Sequence, residues 1–267
     1  MVERPEWAPS SIDLDRPSVA RMYDHYLGGS HNFEVDRRAA DAVARIYPGM
    51  AAAARANRSF LRRAVHHLAE QGVEQFLDLG SGIPTVGSVH EVARAVNPAC
   101  RVAYVDVEPV AVAHSTALLA DEPRTVAVQG DLRSPDTVLA DPEVRELLDL
   151  SQPVGVLLVA VLHFVADSDA PRDLVDSYLS AVVPGSHLVI SHGSLEGIAV
   201  DEVPDAEAVQ QIYQRTDSPL VMRSRAEIAE LFTGLDLVPP GVVPLSEWRP
   251  DSDEPPISAY AGVGRKV

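Results

Sequence analysis

Between Gln75 and Thr85 the apolar run Gln75-Phe76-Leu77-Asp78-Leu79 passes straight into Gly80-Ser81-Gly82, and a helical pattern follows. A strand that ends in glycines at alternate positions and leads into a helix is the opening of a βαβ unit. Glycine permits left-handed backbone and a close approach by a ligand that a Cβ would prevent. The rest of the chain agrees. Short apolar runs at Gln75–Leu79, Val102–Val105, Thr125–Val128, Val154–Ala160 and Ser186–Ile190 read as buried parallel strands. Helical stretches separate them: Val86–Val96, Pro109–Leu119, two short helices opened by Ser134-Pro135 and Asp141-Pro142, and Ala170–Val183. This alternation predicts a doubly wound α/β fold with a mostly parallel sheet and helices on both faces.

The ends of the chain depart from that pattern. Residues 1–15 are expected to be poorly ordered, and residues 16–72 form a helical extension before an α/β domain over 73–267. The extension holds a short helix from Val19 to Leu27 ended by Gly28-Gly29, a second over Glu34–Ile46, and a long amphipathic one over Met50–Glu70. Near the C-terminus come helices at Ala206–Gln214 and Ala226–Phe232. Two last strands, around Leu235–Val243 and Ile257–Val263, bring the sheet to seven, with the final one antiparallel at or near an edge.

Composition narrows the partners. The net charge of −17, from 39 acidic against 22 basic side chains, repels phosphate backbones and argues against nucleic acid. No run of eighteen apolar residues is present, so no membrane span is expected, and the N-terminus lacks a secretory leader pattern. The single cysteine, Cys100, fits a small apolar residue beside a strand in a reducing cytoplasm. No spacing among the nine histidines suggests a metal site. A small-molecule partner remains the expectation; oligomeric state is not readable.

Three carboxylates follow successive strands: Asp78, Asp106 and Asp131. Carboxyl ends of parallel strands are where such sheets bind ligands. Asp78, directly before the glycine turn, would repel a pyrophosphate and suits a ligand with an ammonium group. Pro84 stands where a dinucleotide site would have its third glycine. Asp106 has the spacing of an acceptor for ribose hydroxyls, and Asp131 can accept from an adenine amino group while the Leu132 amide faces the ring. The fourth strand leads into Val161-Leu162-His163-Phe164, where His163 can serve as a general base or contact the cofactor. Arg58 is a candidate for a ligand carboxylate. Tyr23, Tyr26, His31 and Asn32 cluster near Gly28-Gly29 as a lid would.

Those blocks resemble a bacterial S-adenosyl methyltransferase family, formerly a domain of unknown function. The resemblance runs from about Arg16 to the C-terminus. It rests on Met22-Tyr23-Asp24-His25-Tyr26-Leu27-Gly28-Gly29, Ala56-Asn57-Arg58-Ser59-Phe60, Phe76–Thr85, Tyr104-Val105-Asp106, Gly130-Asp131-Leu132-Arg133, Val161-Leu162-His163-Phe164, Ser191-His192, Arg223-Ser224-Arg225 and Trp248-Arg249-Pro250. It implies a class I methyltransferase fold and an S-adenosyl-L-methionine cofactor held by Gly80, Asp106, Asp131 and Leu132. The full set expected at the cofactor is Tyr23, Arg58, Asp78, Gly80, Ser81, Gly82, Asp106, Val107, Asp131, Leu132, His163 and Phe164. Tyr23 and His163 are the expected catalytic pair, with His192 beside them beyond the sulfonium methyl. Two other readings compete with a methyltransferase: a noncatalytic S-adenosylmethionine-binding regulator and an NAD(P)-dependent oxidoreductase.

Overall fold

The computed structural model describes residues 12–83, 87–196, 205–252 and 255–267. Residues 1–11, Pro84, Thr85 and Val86 lie outside them, so most of the expected loose N-terminus and the start expected for the fourth helix cannot be placed. Ile12 is buried in a small cluster with Phe33, Ile83 and Val110.

The helical extension matches its sequence pattern: α1 (Val19–Tyr26), α2 (Glu34–Ile46) and α3 (Met50–Glu70). On α3 the stripe Phe60, Leu61, Ala64, Val65 and Leu68 is buried, and it packs on the sheet with Phe76, Val102 and Leu157. Trp248, fully buried, meets Phe60 edge-on at 5.5 Å. The alternating part then runs β1 (Gln75–Leu79), α4 (Val89–Val96), β2 (Arg101–Asp106), α5 (Pro109–Leu118), β3 (Thr125–Gln129), α6 (Pro135–Ala140), α7 (Pro142–Leu147), β4 (Gly155–Val159), α8 (Pro171–Ser180) and β5 (His187–Gly193). After it come α9 (Ala206–Tyr213), α10 (Arg225–Glu230), β6 (Leu235–Leu237), β7 (Val243–Pro244) and β8 (Ala259–Lys266).

The sheet order is β3-β2-β1-β4-β5-β8-β6, with β7 pairing β8 off that path. Strands β1 to β5 are parallel, and β8 is antiparallel to β5, β6 and β7. The described residues therefore hold eight strands, not seven. The expected strand at Leu235–Val243 is divided because Pro239 and Pro240 carry no N–H for a ladder. The last strand begins later than expected, at Ala259, and lies inside the sheet between β5 and β6. One core, built on Leu77, Val105, Val156 and Leu188, lies under α8 and α10; the other faces α3 and α4.

Candidate functional site

β1 has β2 on one side and β4 on the other, so the chain reverses its direction of progress across the sheet at this point. The crossovers leave in opposite directions there and open a cleft at the carboxyl ends of the strands. Gly80 and Ser81 turn through it, both donating to the Val105 carbonyl, at 2.8 and 3.1 Å. Gly80 has φ 71°, and a Cβ on it would overlap the Val161 side chain. Gly82 has φ 65°. Both positions require glycine for their backbone, and Gly80 requires it for space as well.

Asp106, at the end of β2, accepts from the Gly82 amide at 2.6 Å and from the Glu108 amide at 2.8 Å. Those two bonds fix the carboxylate beside the glycine turn. Asp78 is buried at the end of β1, and no hydrogen-bond donor reaches its carboxylate among the described residues. Burial pushes the Asp78 carboxyl up to about 7; Arg58 opposes that rise and Asp106 adds to it. Burial likewise pushes Asp106 up to about 6, against its two amide donors. Arg58 lines the same cleft, and its Nε is buried with no acceptor among the described residues. Two ionisable carboxyls and an unpartnered guanidinium nitrogen thus share one pocket, a combination that a ligand with complementary charges would complete.

The cleft brings together most of the residues singled out in the sequence. Tyr23, Arg58, Asp78, Gly80, Ser81, Gly82, Asp106, Val107, Asp131, Leu132 and Phe164 all line it. Val107 is 53% exposed and marks its outer side. Arg133 clasps Asp131, with Nε at 2.9 Å from one carboxylate oxygen and Nη2 at 2.7 Å from the other. His163 does not line this cleft. It lines a second, larger cavity of about 400 Å³ together with His192, and the two cavities share Val19, Tyr23, Asn57, Ala160 and Phe164. His31 and Asn32 line neither: His31 stacks on His114 at 3.6 Å, and Asn32 donates to Asp24 at 2.8 Å.

A hydrogen-bond chain forms the wall between the cavities. The Ala160 amide donates to Ser191 Oγ at 2.9 Å, and Ser191 Oγ donates to Asn57 Oδ1 at 2.5 Å. Asn57 Nδ2 donates to the Tyr23 hydroxyl at 2.9 Å, which donates in turn to the Ala54 carbonyl at 3.0 Å. Ala160, a non-glycine at φ 55°, turns the chain sharply at this wall. Asn57 and Ser191 were not singled out as site residues. The available signal was an asparagine three residues before Phe60 on the apolar stripe of α3, where an amide needs buried partners.

The two histidines are held neutral. His163 Nδ1 accepts from the Gly193 amide at 3.3 Å, so its proton belongs on Nε2. Burial, then His192 and Arg223, hold its pKa well below the ordinary value. His192 Nδ1 donates to the Gly193 carbonyl at 2.7 Å and its Nε2 accepts from Arg223 at 2.9 Å; burial lowers its pKa to about 4. Both nitrogens of His192 are therefore in use. With its proton on Nε2, His163 has a donor at that nitrogen.

The described residues contain no cluster suited to a metal ion and no helix long and apolar enough to cross a membrane. A family model described as S-adenosyl methyltransferase matches residues 5–267. No curated protein matches the chain significantly. Among solved structures, a protein from Thermobifida fusca, provisionally described as a methyltransferase, is 39% identical with TM-score 0.90, over 98% of this chain and 99% of that one. A DUF574 family protein from Streptomyces avermitilis is 38% identical with TM-score 0.89, over 96% and 99%. Human N-acetylserotonin methyltransferase, solved with S-adenosylmethionine, shares the fold at 15% identity and TM-score 0.50, over 92% and 59%. With a class I fold, a cleft at the switch point of its sheet and a family match over nearly its whole length, the chain belongs to the S-adenosyl methyltransferase family, as an S-adenosyl-L-methionine-dependent methyltransferase.

Proposed function

We propose that the chain methylates a small molecule held in the larger cavity, with the cofactor lying in the cleft over the glycine turn. The observation that carries this reading is the charge pattern of the cleft: among the described residues, no donor reaches Asp78 and no acceptor reaches Arg58 Nε, and the two share one pocket. Asp78 would take the ammonium of the cofactor's methionine end and Arg58 its carboxylate. Asp106, held by the Gly82 and Glu108 amides, keeps lone pairs free for ribose hydroxyls. Asp131 and the Leu132 amide would meet the adenine, with Val107 and Phe164 as apolar neighbours. When bound, S-adenosylmethionine would supply an electrophilic sulfonium methyl facing the larger cavity.

The protein's task in such a displacement is alignment and exclusion of water. The Ala160–Ser191–Asn57–Tyr23 chain would fix the opening between cofactor and acceptor. Tyr23 already donates to Ala54, and burial raises its pKa. It serves as a wall and positioning group, and His163 Nε2 would donate to the acceptor. Equilibrium binding tests the reading. S-adenosylhomocysteine should bind far more tightly than NADH, and Asp106→Ala should weaken it at least tenfold. Preference for NADH, or unchanged affinity in the variant, would sink the assignment.

A further inference from the structure

The larger cavity falls within the size of ordinary small-molecule sites. Its chemistry is more selective than its size. Aromatic rings wall it: Tyr26, Tyr47, Phe164 and Tyr213, with Phe164 and Tyr213 at 5.7 Å between centroids. Methionines Met50 and Met222 add soft apolar surface. The hydroxyls are largely turned on one another or on nearby groups. Tyr26 faces Tyr213 at 3.5 Å, and Tyr47 faces Ser258 at 3.3 Å.

Charge is the second observation. No lysine or arginine lines this cavity among the described residues, and Glu207, an exposed side chain, is its one carboxylate. The two histidines facing it are neutral, as their partners show. An anion seated here would lose its water and meet no cationic side chain in the described lining.

Resting on the methyl-transfer reading, we infer that the acceptor bound in this cavity is an uncharged, flat, largely apolar aromatic molecule. Its polar edge points toward Tyr23, Asn57 and His163, and its ring lies among the tyrosines, Phe164 and the methionines. The same lining disfavours carboxylates and phosphate esters as acceptors.

Three probes of one ring size separate the possibilities: 2-naphthol, 2-naphthoate and (2-naphthyl)methylammonium. Each is titrated at pH 7 into protein loaded with S-adenosylhomocysteine. Naphthol should bind at least tenfold more tightly than naphthoate and no less tightly than the ammonium probe. Ala53→Phe, which fills the cavity from α3, should weaken naphthol at least tenfold while S-adenosylhomocysteine affinity stays unchanged. Leu220→Arg, which adds a cation to the wall, should narrow or reverse the gap between naphthol and naphthoate. Equal or tighter binding of naphthoate to the unaltered protein overturns the proposal, as does tightest binding of the ammonium probe. So does naphthol binding that neither variant disturbs, or failure of every probe to bind. Failure of S-adenosylhomocysteine itself to bind would instead overturn the cofactor reading, and the same probes on unloaded protein would still report on the cavity.

Discussion

Arg58 and Asp78 have hydrogen-bonding capacity that the described residues leave unused. Among the described residues, Arg58 Nε is buried with no acceptor and no donor reaches the buried Asp78 carboxylate. Buried ionisable groups that meet in one cleft in this way point to a ligand that completes them. Charge-assisted hydrogen bonds contribute about 1.5–3 kcal/mol each, roughly ten- to a hundredfold in affinity. Arg58→Ala should therefore weaken S-adenosylhomocysteine by that factor in calorimetry. It should leave 5′-methylthioadenosine, which lacks the amino-acid end, nearly unchanged; equal losses for both ligands would mean that Arg58 shapes the cleft without meeting a carboxylate. Asp78 was legible because it sits between an apolar strand and a glycine, where no structural demand asks for a carboxylate. Asn57 was harder to see. Its partners, Ser191 and Tyr23, are 134 and 34 residues away, and only the fold brings them together.

At the scale of elements, α1 forms one wall of both cavities through Val19 and Tyr23. A buried arginine ties it down. Arg21 Nε meets Asp36 on α2 at 2.8 Å, and its Nη1 meets Glu108 at the start of α5 at 3.0 Å. Arg21→Ala would leave two buried carboxylates uncompensated. Breaking a buried pair costs about 3–5 kcal/mol. The variant should show that loss in denaturant unfolding and should bind S-adenosylhomocysteine more weakly, because the wall carrying Tyr23 loses its tether. Unchanged stability would show that α1 docks through its apolar face alone. The helices of the extension were readable from periodicity and from Gly28-Gly29. The C-terminal strands were not. Leu235–Val243 has enough apolar residues for one strand, but Pro239 and Pro240 divide it into β6 and β7. The interior place of β8 depends on its pairing with three other strands, which its own pattern does not encode.

For the molecule as a whole, the buried carboxyls couple cofactor binding to stability and pH. Asp78 rises to about 7 and Asp106 to about 6 in the folded, ligand-free protein, while unfolded aspartates titrate near the ordinary value of about 3.9. Between those values the folded state holds more protons than the unfolded one, so these two groups make ligand-free stability fall as pH rises from about 4 to about 7. A ligand that brings an ammonium to Asp78 and hydroxyls to Asp106 favours their ionised forms. Its affinity should therefore rise with pH and level off once Asp78 is ionised without it, near 7. At one fixed concentration, S-adenosylhomocysteine should raise the melting temperature more at pH 8 than at pH 5.5. Ligand at a hundred times its dissociation constant adds about 2.7 kcal/mol, on the order of 5–10 °C for a chain of this size. Asp78→Asn separates the two effects. It removes a buried charge, so the ligand-free variant should melt higher than the unaltered protein at pH 8. The loss of that charge should also weaken S-adenosylhomocysteine and flatten much of the pH dependence, leaving the part due to Asp106. A variant that melts lower at pH 8, or keeps the full pH dependence, would place the ammonium somewhere other than at the end of β1.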